Sequence, residues 1–168
     1  MPRASDDPTA PAGRLYDQYG VSLYRYALML LADRSAAEDA VHQVFVSLIA
    51  LAARNAAPPD NPEHYLRRAV RNECYSSLRR SSKCETSIEE RTNAPLLQSI
   101  AGADENPDER IALERALGRL PAEQREVVHL RVYEGMTLQE IATQTGESIN
   151  TIASRHRYAL DKLKALLT

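Results

Sequence analysis

Thr137-Leu138-Gln139-Glu140-Ile141-Ala142-Thr143-Gln144-Thr145-Gly146-Glu147-Ser148-Ile149-Asn150-Thr151-Ile152-Ala153-Ser154-Arg155-His156-Arg157-Tyr158-Ala159 is the most informative stretch of the chain. Thr137 followed three residues later by Glu140 is a capping box, so a helix starts there. Ile141 and Ala142 are its apolar residues, and Gly146 supplies the left-handed backbone of a turn. A second helix follows, with an expected buried stripe of Ile149, Ile152, His156, Leu160, Leu163 and Leu167. Small Ala142 lets the two helices approach closely, and the layout is a helix-turn-helix. Asn150, Thr151, Ser154, Arg155, Arg157 and Tyr158 fall away from that stripe. Amide, hydroxyl and guanidinium groups in such an array bond base edges and phosphates in a major groove. His156 is expected in the core rather than as a pH sensor.

Upstream the chain is helical nearly everywhere, and no convincing alternating run signals a strand. One candidate helix runs from about Arg14 to Leu31, with Gly20 expected to loosen its middle. Ser35 and Glu38 suggest another capping box, followed by Ala37, Val41, Val44, Phe45, Leu48 and Leu51 on one face. Asn61-Pro62 opens a third helix whose expected stripe is Tyr65, Leu66, Ala69, Val70, Cys74 and Leu78. Arg67, Arg68, Arg71, Arg79 and Arg80 lie largely off it. Asn106-Pro107 repeats the cap-plus-proline signal, and Pro121 starts another helix that Gly135 closes.

The formal net charge of the 168 residues is −2, which hides the organisation. Residues 1–12 carry −1, residues 13–83 +3, residues 84–110 −5 and residues 111–168 +1. Two mildly basic blocks therefore flank an acidic segment, and local charge sets affinity for phosphates. From Ser81 to Pro107 the chain is rich in Ser, Thr, Asn, Pro and acids, the composition of a linker. Such a tether is too long for the inside of one compact domain. The expected fold class is all-α: two small helical domains joined by a flexible linker. The divisions are a disordered tail over 1–12, a first bundle over 13–83, an acidic linker over 84–107 and a second bundle over 108–168.

Several classes are excluded. No stretch approaches 18 consecutive apolar residues, so no membrane insertion is expected, and the acidic, proline-rich start is unlike a secretory signal. A cytoplasmic protein follows. Cys74 and Cys84 are too few for a disulfide scaffold and lack zinc-ligand spacing. There is no glycine-rich phosphate loop, nucleophile elbow or His-Glu-x-x-His, and the four histidines are scattered. No enzyme, metal or cofactor is expected. A stand-alone helix-turn-helix regulator would account for residues 108–168 and leave 13–83 idle.

In five places, in order, residues 13–168 resemble the bacterial extracytoplasmic-function (ECF) sigma factors. Leu15-Tyr16-Asp17-Gln18-Tyr19-Gly20 with Leu23-Tyr24-Arg25-Tyr26-Ala27 is similar to the opening helix of sigma region 2. Asp33 to Phe45 is similar to its polymerase-binding helix, and Tyr65-Leu66, Ala69, Arg71-Asn72 and Leu78-Arg79-Arg80 to its minus-ten helix. Leu120 to Val128 resembles the start of region 4. Glu134 to Ala142 and Asn150 to Arg155 resemble its minus-thirty-five reader.

The resemblance implies that Glu38, Asp39, His42 and Gln43 bind core RNA polymerase, on the coiled coil of its largest subunit, with the flap of the second-largest subunit as a further contact. It implies that Arg68, Arg71, Asn72, Arg79, Arg80 and Lys83 meet the minus-ten element, and that Asn150, Thr151, Ser154, Arg155, Arg157 and Tyr158 meet the minus-thirty-five element of promoter DNA. Two weak modules on one tether gain affinity when both sites are in reach. In the free protein they are expected to mask each other, directly or in the grip of an anti-sigma factor. The chain departs from the family in lacking Trp, with Tyr65 expected to take that packing role. It also has Ala153 and Tyr158 where the family often carries basic residues, so the promoter sequence read does not carry over.

Overall fold

The computed structural model describes residues 9–82 and 106–168. They form seven α-helices in two bundles: α1 (Ala10–Leu31), α2 (Arg34–Ala53) and α3 (Pro62–Ser82), then α4 (Pro107–Gly118), α5 (Ala122–Val128), α6 (Leu138–Thr145) and α7 (Ile149–Leu167). A π-helical turn, His129–Tyr133, continues α5.

Helix α1 begins at Ala10, with Pro11 in its first turn, and Ala12 is buried; the helix thus starts inside the segment expected as a tail. It runs unbroken through Gly20, which loosens nothing. The Tyr16 ring lies 3.5 Å from where a Cβ on Gly20 would stand. That ring meets Phe45 of α2 edge-on at 5.0 Å. Ala32 then turns left-handed (φ 52°) and stops α1. Asp33 is left extended as the first residue outside the helix. Its carboxylate, not the Ser35 hydroxyl, accepts from Ala36 N at 2.8 Å, and α2 starts at Arg34. The expected Ser35–Glu38 box therefore does not form, because the turn at Ala32 sets the helix start earlier. Over 18 residues α2 has a mean hydropathy of 1.3, high enough for a membrane span. Its Ala37, Ala40, Val41, Val44, Phe45 and Leu48 instead pack into the core with α1 and α3.

Asn61 caps α3 as expected, its side chain accepting from His64 N at 3.0 Å. Leu66, Val70 and Cys74 are fully buried. Tyr65 is not: it is 37% exposed, so it does not take the packing role expected of it. Arg67, placed off the stripe by spacing, is buried.

In the second bundle Asn106 caps α4. Thr137 and Glu140 make the full reciprocal box on α6, and Gly146 closes α6 at φ 75°. Helix α7 packs on α4, α5 and α6 through Ile152, Ala159 and Leu163. The expected stripe was wider. Ile149, Leu160 and Leu167 stay 44%, 45% and 49% exposed, and His156 is half-buried. The seven residues of α5 and eight of α6 are too short to cover both flanks of a 19-residue helix.

The two bundles do not stand apart. One apolar cluster continues from Tyr26, Leu30 and Leu66 in the first to Leu117, Val127, Leu130, Ile141 and Ile152 in the second. Helix α5 lies against α1, and α6 touches α3.

Candidate functional site

Several of the residues singled out in the sequence fall on two surfaces. The first is the outer face of α2. Glu38, Asp39, His42 and Gln43 are all exposed, opposite buried Ala37, Ala40, Val41 and Val44. Glu38 serves no cap, since Asp33 does that work. Beside them α1 and α2 enclose an open groove of about 720 Å³, whose lining adds Tyr16, Val21 and Tyr24. Tyr16 and Val21 are 54% and 64% exposed. Apolar patches rimmed by carboxylates suit a basic, amphipathic partner helix.

The second surface lies between the bundles, and it gathers residues from both proposed DNA-binding sets. Arg71, Asn72, Arg79 and Arg155 line one cleft of about 330 Å³ with Tyr75, Ser76, Glu123 and Glu147. Arg155 bonds Glu147 through both terminal nitrogens at 3.3 Å. Arg79 donates to Ser76 Oγ at 3.1 Å, and exposed Arg80 to Glu73 at 3.0 Å. Arg68 extends to the helix-turn-helix turn: its Nη2 lies 3.5 Å from where a Cβ on Gly146 would stand. Lys83 lies outside the described residues.

On helix α7, Ser148 caps the start, accepting from Thr151 N at 3.1 Å while the two hydroxyls lie 2.9 Å apart. Asn150, Arg157 and Tyr158 are exposed. The Arg157 guanidinium sits over the Tyr158 ring at 5.2 Å. Thr151, Ser154 and Arg155 are half-buried, so this set is split rather than uniformly outward.

Arg71 departs most from the expectation of a free basic face. Its Nε donates to Glu126 Oε1 at 2.8 Å and its Nη2 to Oε2 at 3.3 Å. Tyr75 Oη donates to Oε2 at 2.7 Å, and Tyr26 Oη donates to Oε1. Glu126 is wholly buried. Burial alone would lower the Arg71 pKa; the Glu126 carboxylate outweighs it and raises it. Tyr26 and Tyr75 are raised too, by burial first and Glu126 next, so both stay protonated as donors. Cys74, buried in the same region, is pushed up to about 12 by burial and the nearby Glu126 and Glu73.

Further links join the bundles. Arg125 reaches the end of α1, and Arg67 donates to Glu134 Oε2 at 3.1 Å and to Met136 Sδ at 3.4 Å. His129 stacks on Tyr26 at 5.8 Å, with its Nε2 3.5 Å from Glu134 Oε1. None of Glu126, Arg125, Tyr26, Tyr75 and Glu134 is among the candidate site residues read from the sequence. Arg125-Glu126 does carry a signal: two charged residues sit immediately before the apolar pair Val127-Val128.

Residues 15–84 match Sigma-70 region 2, and residues 116–165 match Sigma-70, region 4. The pair defines a sigma-70-type transcription-initiation protein. SigL of Mycobacterium tuberculosis, an ECF RNA polymerase sigma factor, is 30% identical over an alignment of 189 positions that takes in 99% of this chain and 96% of that protein. The ECF sigma factor RpoE of Cereibacter sphaeroides is 38% identical over 72 residues, 38% of this chain and 40% of its own. The chain belongs to the ECF RNA polymerase sigma factors. Among solved structures, RpoE of Bartonella quintana, in complex with the anti-sigma factor NepR, superposes with a TM-score of 0.67 at 25% identity, covering 92% of this chain and 95% of that one. CnrH in complex with the cytosolic domain of CnrY gives 0.60 at 25% identity, covering 98% and 91%.

Proposed function

We propose that each bundle has its own task in promoter-directed initiation. Glu38, Asp39, His42 and Gln43 dock the outer face of α2 on the coiled coil of the largest polymerase subunit, where carboxylates pair with arginines. The flap of the second-largest subunit is a further polymerase contact. Arg68, Arg71, Asn72, Arg79, Arg80 and Lys83 hold the minus-ten element. Asn150, Thr151, Ser154, Arg155, Arg157 and Tyr158 read the minus-thirty-five element from the major groove. The chain works in the cytoplasm, and an anti-sigma protein of the kind named with its solved relatives is its expected regulator.

The observation that carries this reading is the capped helix-turn-helix. The Thr137–Glu140 box, left-handed Gly146 and the Ser148 cap fix α7 so that Asn150, Arg157 and Tyr158 face outward. The protein supplies no fuel for opening DNA. Unstacking costs roughly 1–2 kcal/mol per step, and tighter binding to the opened strand than to the duplex must offset it. Run-off transcription with core polymerase on promoter fragments tests the assignment. Replacing Arg155 and Arg157 together with Ala should abolish promoter-specific initiation while core binding survives. Initiation at the unaltered rate would defeat it.

A further inference from the structure

We propose that Glu126 is an internal stand-in for promoter phosphate: it occupies Arg71 and fastens the second bundle over α3, so in the free chain the α3 face is closed to DNA while the polymerase-docking face stays open. The proposal rests on the assignment of α3 to the minus-ten element given above.

The geometry carries it in three steps. Glu126 accepts four hydrogen bonds from Tyr26, Arg71 and Tyr75, all in the first bundle and 51 to 100 residues away. A carboxylate has about four acceptor positions, so this one is saturated. Burying a charge is costly unless it is met in this way, and only the packed arrangement of the bundles meets it. Apart, the second bundle loses every one of these partners.

Arg71 uses Nε and Nη2, the fork a guanidinium offers to a phosphate. One fork cannot serve Glu126 and a promoter phosphate together. The occlusion also extends past this pair. Asn72 and Arg79 share their cleft with Glu123 and Glu147 of the second bundle, and Glu147 in turn holds Arg155 of the recognition helix. An arginine from each proposed DNA-binding face thus meets a carboxylate of the protein itself.

The α2 face is left free. Glu38, Asp39, His42 and Gln43 are exposed in the same closed structure. Polymerase can therefore be met first. A docking that favours separated bundles releases Arg71 to DNA, since a partner shifts an equilibrium by its differential affinity for the two states.

The test uses the full chain, a fluorescent promoter duplex and small-angle scattering. Glu126→Gln keeps the shape and removes the charge that binds Arg71. It should expand the free chain and bind the duplex about tenfold more tightly, which is about 1.4 kcal/mol. Glu123→Gln removes one negative charge from the adjoining cleft without touching the latch, and should change affinity less than twofold. Equal gains in both variants, or an unexpanded Glu126→Gln chain with wild-type affinity, overturn the proposal. Should Glu126→Gln lose helix content, Tyr75→Phe decides. It deletes one donor and keeps the ring, and should raise affinity two- to threefold; no rise overturns the latch. If wild-type chain with core polymerase initiates normally but these variants bind DNA no better, only the latch fails. If it never initiates, the reading of the whole chain fails.

Discussion

Arg125 donates to the backbone carbonyl of Leu30 at 2.8 Å, across 95 residues of chain, and to that of Met29 beside it. The last carbonyls of a helix have no partner within it. Arg125 supplies one for α1, and the same guanidinium reaches Leu120 O at 3.3 Å and Leu117 O at 3.4 Å near the end of α4. One buried side chain closes two helices from different bundles. Burial lowers its pKa, yet five carbonyl contacts keep a cation useful there.

Arg125→Ala should therefore destabilise the chain more than a surface change. Orphaned buried carbonyls cost about 1–3 kcal/mol each. A loss of about 3 kcal/mol is expected, read from the midpoint of urea unfolding. Arg125→Lys should recover less than half, because an ammonium cannot fork to carbonyls of two helices. A midpoint equal to wild type in the Ala variant would show that the contact contributes nothing.

The link from Arg67 to Glu134 predicts a response to acid. The neighbouring His129 ring holds the Glu134 carboxyl below its usual range, burial opposes that, and Arg67 adds to it. A carboxyl whose folded pKa is depressed contributes fully above its unfolded value, about 4.3, and its contribution is lost as pH falls through the folded one. Hydrogen exchange across the α3–α6 contact should accordingly rise below about pH 4.3, with no change between pH 6 and 8 from this group. In Glu134→Gln the acid step at this contact should disappear. An undiminished step in that variant would place the sensitivity elsewhere.

Gly146 sits at φ 75°, where a side chain is strained by roughly 1–2 kcal/mol. The Arg68 guanidinium stands at ordinary contact distance from a Cβ there, so the cost is one of backbone and not of space. Gly146→Ala should lower the thermal midpoint and weaken promoter binding by tilting α7. Gly146→Asn should be milder, since Asn tolerates the left-handed region better. An unchanged midpoint for Ala would mean that the turn relaxes.

Much of this was legible in the residues. The box at Thr137, the glycine at 146 and the cap at Asn61 are local signals, and each is where spacing put it. The Ser35 box is the instructive failure. Its pattern is sound, but Asp33 two residues earlier competes for the same role, and the turn at Ala32 decides between them. Periodicity also overstated the burial of α7, because a stripe shows which side is apolar and not how much neighbour exists to cover it. The inter-bundle contacts were hidden for a different reason. Glu126 finds Tyr26 100 residues back, and no local pattern encodes such a partner. The family resemblance implies that Arg71 is a DNA contact. The structure adds that it already has an anion.

On the roles proposed above, Arg71 is shared between silence and recognition and is constrained twice. Retuning promoter choice by swapping Arg71 would also change leakiness, since the same swap loosens Glu126. Anyone building orthogonal gene circuits from this scaffold should vary α7 first and leave residue 71 alone, or alter residues 71 and 126 as a couple.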